Sequence, residues 1–374
     1  NTTINDRLDI KVGVGALFFY GYPDVGSLVS RVVKLVPGVG QAEGVYTFGD
    51  LQAPSWIMQF GFFPYKYNPD AKNLGEYLLR SGTYPGYEVT GGWSTINSAL
   101  YMASGLSIRG NFLSNTLVAD FNMFLERDIE PQHDFSPSVV LTYKPTPVFE
   151  VGAGVEFAHL IPTDSRKLKS TAFSYRGDSA FVGNDSGNTS YTFQGTKVMG
   201  RASVNLGAML NNPWIGKEGL KLYGEAAILG IKNYPYYYEK RSKRIPVMVG
   251  INLPTLNFFD VLAFEVEHRD WDFQNNIKNA KSGEPVWGNA NQAPGTGYDP
   301  NHPGKLDTSD AVKAQGDKWS FYAKKQLIHG VSLYVQVASD YLRGIDPQIF
   351  LLSDEVITSR PSQWYYLFRL EFGI

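Results

Sequence analysis

The sequence predicts an all-β fold, a closed antiparallel transmembrane β-barrel of about 14 strands (about 12 to 16), with short helical segments in N-terminal loops or in the lumen. Three observations point there. Gln363 to Ile374 alternates, with Trp364, Tyr366, Phe368, Leu370, Phe372 and Ile374 on one face and Arg369 and Glu371 on the other. An apolar face turned outward and an ionic face turned inward is the reverse of a soluble sheet and is what a membrane barrel requires. Aromatic residues make up 14% of the chain while charged residues are only 19%, where a soluble domain averages about a quarter charged. Third, short and long connections between the strand-like segments alternate along the chain.

The 374 residues are read as one domain, 1–374, with 21–54 and 64–86 as loop or lumenal inserts and 272–317 as a long surface loop. The formal charge of −2 gives no pull toward nucleic acid. The absence of cysteine excludes disulfides and thiolate chemistry within the chain. No stretch has the basic start, apolar core and cleavage site of a signal peptide, so an exported chain would begin after that segment. Nor is there an apolar run of about 20 residues for a spanning helix, which leaves strands as the only means of crossing a bilayer. The alternative at this level is a secreted, aromatic-rich sandwich.

Ile10 to Tyr20 alternates as a first strand. In Pro23 to Gly38, Val25, Leu28, Val29, Val32, Val33 and Val36 recur at helical spacing, so a short amphipathic helix or an extended hydrophobic loop is expected there. Ser55 to Phe63 is the next strand. Phe63 to Tyr87 fits hairpins worst: Asn68 or Asp70 starts a helix that Gly82 ends, and the segment is a candidate lumenal constriction. Strands then follow at Tyr87 to Gly92, Ala99 to Arg109, from Leu117, at Pro137 to Tyr143, from Val148, from Lys197 through Leu210, at Leu220 to Gly230, Arg244 to Leu253, from Leu262, at Lys318 to Gln326, Val331 to Tyr341 and Gln363 to Ile374.

Within these strands the ionic positions Asp120, Glu126, Glu150, Glu156, Lys197, Arg201, Lys221, Glu225, Glu265, Glu267, Arg269, Arg369 and Glu371 share the face opposite the apolar residues. They are the candidate lumen-lining residues, and their glutamates give a pore an acidic tilt that favours cations. YPYYYEKRSKR offers Tyr236, Tyr237, Tyr238, Lys240 and Arg241 as contacts for lipid headgroups or for sugar rings.

In this overall pattern the chain resembles Gram-negative outer-membrane β-barrels across nearly its whole length, without matching a specific porin family. The resemblance implies that the last strand carries a signal for the barrel-assembly machinery, with Phe368, Leu370 and Phe372 as its candidate residues. The chain closes on Gly373 and Ile374 rather than on a terminal aromatic. Implied partners are outer-membrane lipid and lipopolysaccharide, the assembly machinery, small solutes or glycans, and a surface protein complex. The implied location is the bacterial outer membrane, with the C-terminus periplasmic and the long loops extracellular.

No cofactor or metal is expected. His133, His159, His268, His302 and His329 are the only histidines, and none stands beside an inward Ser with an orienting carboxylate. His159 and His268 share the outward parity of their strands. His268, amid Glu265, Glu267, Arg269 and Asp270, lacks a second histidine for a metal site. No GxSxG or HExxH is present, so an enzyme is not expected. The function expected is a porin-like channel for restricted diffusion of small hydrophilic solutes. The alternatives are a nonconducting scaffold or glycan- or protein-binding barrel, and a transporter of hydrophobic compounds, which fourteen-stranded barrels with lumenal plugs include.

Overall fold

The computed structural model describes residues 2–21, 32–82, 101–126, 133–176, 179–182, 189–192, 194–210, 215, 219–233, 241–256, 258–269, 317–339 and 364–372. Its strands are β1 (Thr2–Asn5), β2 (Leu8–Gly21), β3 (Val32–Gly49), β4 (Pro54–Tyr65), β5 (Tyr101–Phe112), β6 (Leu117–Leu125), β7 (Phe135–Tyr143), β8 (Phe149–Ala158), β9 (Lys169–Arg176), β10 (Ser179–Val182), β11 (Thr189–Thr192), β12 (Gly195–Asn205), β13 (Lys221–Ile228), β14 (Val247–Asn252), β15 (Val261–His268), β16 (Asp317–Ile328), β17 (Val331–Ser339) and β18 (Tyr365–Phe372). Two short helices, α1 (Tyr77–Arg80) and α2 (Leu206–Leu210), interrupt them.

Each strand of the main sheet pairs antiparallel with its neighbour in sequence, apart from a small separate sheet, β10-β9-β11, inserted between β8 and β12. The short β1 folds back on Leu8–Ile10 at one edge, which leaves fourteen principal strands. Among the described residues β18 pairs with β17, and no ladder joins it to β2.

Because neighbouring strands alternate in direction, their connections alternate between the two ends of the sheet. At one end lie 50–53, 113–116, 144–148, 206–220, 253–260 and 329–330; at the other lie 22–31, 66–100, 126–134, 159–194, 229–246, 269–316 and 340–364, most of them longer. The burial pattern follows the side-chain period of two and is inverted relative to a water-soluble sheet. Phe149, Leu222, Val249, Phe264, Phe368 and Leu370 are exposed, whereas Glu156, Lys197, Arg201, Glu225, Glu265 and Glu267 are buried. Phe149, Val204, Leu262 and Leu370 do not gather into a common core: the first and last are exposed and the middle two half-buried.

Several expectations are corrected. Residues 32–38 are extended in β3, so the helix expected over 23–38 does not include them; residues 22–31 lie outside the described residues. Valine at helical spacing is also a β-branched run, and here pairing of residues 32–38 with β2 decides its conformation, β4 joining β3 only from Ala42 onward. The strand expected through Leu210 ends at Asn205, whose Oδ1 accepts the Ala208 N–H at 3.0 Å and caps α2. His159 does not point outward. It follows the end of β8 with φ 53° and is 3% exposed, with Nδ1 3.4 Å from Asp134 Oδ2. Tyr87 to Gly92 lies outside the described residues.

Candidate functional site

Residues 66–82 leave β4 and fold across the polar face of the sheet, over β8 and β12 to β16. The segment begins as a compact loop whose ends meet: Lys66 Nζ lies 3.1 Å from Glu76 Oε2, and the Asn68 N–H reaches Glu76 Oε1 at 3.4 Å. Gly75 and Glu76 both take positive φ, 83° and 59°, and this reversal sets up α1.

Three wall carboxylates hold the loop. Glu265 is 0% exposed and accepts the consecutive backbone N–H groups of Lys72, Asn73 and Leu74, at 2.8 Å for the last two, together with the Tyr223 hydroxyl at 2.8 Å. Successive N–H groups converging on one anion form a nest, so a carboxylate deep in the wall is satisfied by main chain rather than by a countercharge. Glu225 accepts the Tyr67 hydroxyl at 2.7 Å, the Asn68 Nδ2 at 2.7 Å and the Tyr77 N–H at 2.9 Å. Glu267 accepts the Tyr77 hydroxyl at 3.0 Å and pairs with Lys318 at 2.8 Å. Burial, with the Glu225 and Glu76 carboxylates beside it, pushes the Tyr67 phenol well above the usual tyrosine range, which keeps it a proton donor.

Two wall lysines complete the attachment. Lys197 donates to the carbonyls of Leu78 and Ser81 and pairs with Glu156 at 2.6 Å; Lys221 pairs with Asp70 at 2.6 Å. Asn73 Nδ2 donates to Ser320 Oγ at 3.0 Å, and Arg80 Nη1 donates to the Asn73 carbonyl at 2.6 Å. The apolar side chains of the segment, Tyr67, Leu74, Tyr77 and Leu78, pack with Phe63, Phe124, Met199, Tyr223 and Met248 into a buried core on the polar side of the sheet.

The wall makes room where it must. A Cβ at Gly250 would meet the Tyr223 ring at 2.3 Å, so the ring lies flat across Gly250 with its hydroxyl on Glu265. Away from the segment, Arg201 lies across Gly152, pairs with Glu150 at 2.6 Å and donates to Thr142 Oγ1 at 2.8 Å. Arg109 forms a bidentate pair with Asp120 at 2.7 and 3.0 Å, and Tyr65 donates to the same carboxylate at 2.9 Å.

The ionic residues read from the sequence whose side chains are described therefore fall on one face, but most are engaged. Asp120, Glu150, Glu156, Lys197, Arg201, Lys221, Glu225, Glu265, Glu267 and Arg269 are buried, Glu126 is half-buried and Glu371 is exposed. The Arg369 side chain, Tyr236, Tyr237, Tyr238, Lys240 and the loop through residue 316 lie outside the described residues. Arg241 is exposed and donates from Nε to the Ile231 carbonyl at 3.0 Å. Phe368 and Leu370 are exposed, and Phe372 stands opposite Val331 in the ladder. Among the described residues no group of His, Asp or Glu is arranged to hold a metal ion.

No protein-family model and no characterised protein matches the chain. Among solved structures it is similar to a double mutant of Rh. blastica porin, at 7% identity over 90% of this chain and 83% of that one, with a TM-score of 0.37. It is also similar to Pseudomonas aeruginosa OccD3 (OpdP), at 9% identity over 89% and 77% with a TM-score of 0.39. A third is OccK11 (OpdR) of the same organism, at 9% identity over 89% and 75% with a TM-score of 0.34. Identity at this level transfers no solute, selectivity or residue role.

Proposed function

We propose that the chain is a closed, porin-like outer-membrane β-barrel, a channel whose lumen is narrowed by residues 66–82 and which passes small hydrophilic solutes by restricted diffusion. The observation that carries the reading is the inverted sheet: apolar side chains exposed on one face, and buried, paired charges with an inserted segment on the other. Hydrocarbon tolerates that outer face, and it forbids unpaired strand edges, whose backbone groups would cost several kcal/mol each. With fourteen principal strands, β2 and β18 are antiparallel across the seam, so closure adds an ordinary ladder along β2 beyond the Leu8–Ile10 stretch that β1 covers. In this reading the short connections and the C-terminus face the periplasm and the long connections face outward.

The expected acidic tilt changes character. Glu150, Glu156 and Glu267 are paired with Arg201, Lys197 and Lys318, and Glu225 and Glu265 hold the segment. Selection by size across residues 66–82 is therefore favoured over selection by wall charge. The almost complete burial of residues 70–78 favours a second reading, a filled, nonconducting barrel that serves as a scaffold. Reconstitution into planar bilayers separates the two. Discrete steps of current support the channel; a folded protein that stays silent supports the scaffold.

A further inference from the structure

The outward face of β15 and β16 carries a polar pair at each end. At the long-loop end His268 Nδ1 lies 2.6 Å from Asp317 Oδ1; at the short-turn end Lys325 Nζ lies 3.8 Å from Asp260 Oδ1. Between them the outward positions are Val266, Phe264 and Leu262 on β15, opposite Trp319, Phe321 and Ala323 on β16. The interval from Asp317 to Lys325 corresponds to roughly 26 Å along a strand, or about 20 Å along the membrane normal at a barrel tilt of ~40°, against an apolar band of ~25 Å. The two pairs thus lie close to the two borders of that band.

Turns past the lower border ought to be polar, because they leave the apolar band. Instead Leu113, Met209, Leu210, Leu256 and Phe258 are exposed there, on three different connections, as is Ile328 at the end of β16. Leu113 and Leu256 are 68% and 66% exposed and take φ of 50° and 51°. A left-handed conformation is strained for a bulky residue, while glycine adopts it freely. Leucine nevertheless stands at both tips. In α2, Leu206, Met209 and Leu210 are all exposed at spacings that share one helical face.

We propose that these turn tips insert into the headgroup boundary of the leaflet at the short-turn end, so that a lipid surface is their partner. The inference rests on the membrane-barrel reading above. The distribution selects lipid: the tips come from connections spread between β5 and β17, and lipid surrounds a barrel on all sides, whereas a protein partner would cover one sector. The apolar tips also continue the outward apolar face past the Asp260–Lys325 pair.

The chain has no cysteine, so single cysteines report cleanly. Leu113→Cys, Phe258→Cys and Val249→Cys, the last on the outward face of β14, would each carry an environment-sensitive fluorophore in phosphatidylcholine vesicles. Brominated acyl chains then probe lipid contact and aqueous iodide probes water. The expected result is that Val249→Cys is quenched by deeply brominated lipid, and the two turn positions by lipid brominated near the headgroup more strongly than by iodide. Turn positions open to iodide, or quenched by neither agent, while Val249→Cys behaves as expected, would overturn the anchoring and leave the barrel intact. If Val249→Cys is itself open to iodide, the membrane reading fails.

Discussion

Leu78 of the inserted segment rests on Gly154 of β8: a Cβ built at Gly154 would lie 2.6 Å from Leu78 Cδ1 and 3.3 Å from the Val139 carbonyl oxygen. The absence of a side chain in the wall is thus what admits a side chain from the segment. Gly200, the register neighbour of Ala153 on β12, has nothing within 4 Å of a Cβ built on it. The two glycines sit side by side on opposite faces of the sheet and give a matched pair of substitutions.

Gly154→Val is expected to push Leu78 off the wall, weakening the attachment of residues 66–82 by about 1–3 kcal/mol, the usual cost of overpacking. Single-channel conductance should rise. Gly200→Val, which meets open space, should leave conductance unchanged.

Glu265→Gln keeps the shape of the side chain but removes the charge that three consecutive N–H groups converge on. Hydrogen bonds to a charged group contribute about 1.5–3 kcal/mol each. Amide hydrogen exchange at Lys72, Asn73 and Leu74 should accelerate strongly, while exchange in β13 and β14 stays slow. Equal protection in the variant would mean the segment is held by packing alone.

Arg201→Met leaves Glu150 buried with Lys144, at 3.8 Å, as its one cationic neighbour among the described residues. Breaking one side of a buried pair costs about 3–5 kcal/mol, whereas replacing both partners by apolar groups is often neutral. Unfolding in urea from lipid vesicles should show the single variant destabilised and Arg201→Met combined with Glu150→Leu largely restored.

Val249→Arg places a charge on the outward face of β14 and is expected to cost about 2–4 kcal/mol if that position lies near the bilayer midplane. Tyr322→Arg, on the inward face of β16, should cost far less. Equal costs in vesicle unfolding would argue against the assignment of faces.

The outline of the sheet was legible in the sequence because a period of two survives wherever one face must be apolar and the other ionic. From β5 onward the expected strands coincide with those of the main sheet to within a few residues, whereas β9, β10 and β11 of the small separate sheet were not among them. The about 14 strands expected from pattern match the fourteen principal strands, but not as the same set. The expected set included Tyr87 to Gly92 and omitted β3, whose Val32, Val33 and Val36 mimic helical spacing while Gly38, Gly40, Gly44 and Gly49 blur the alternation.

The site was legible only in part. Residues 64–86 stood out as the segment that fits no hairpin, and Glu225, Glu265 and Glu267 stood out by parity. What joins them did not: the donors on Glu265 are backbone N–H groups, which carry no residue-type signal. The room made by Gly154 and Gly250 depends on which side chain crosses them, and that is set by register. His159 was misplaced because the strand period fails once the chain turns at φ 53°.

The measurement that bears most directly on the central claim compares ion flow through the intact protein with flow through one in which residues 67–81 are replaced by a short Gly-Ser linker, both in planar bilayers. A lumen narrowed by that segment predicts small, discrete steps for the intact chain and clearly larger ones for the replacement, with both proteins equally folded. Steps of the same size in both would show that the segment does not set the constriction and would contradict the account.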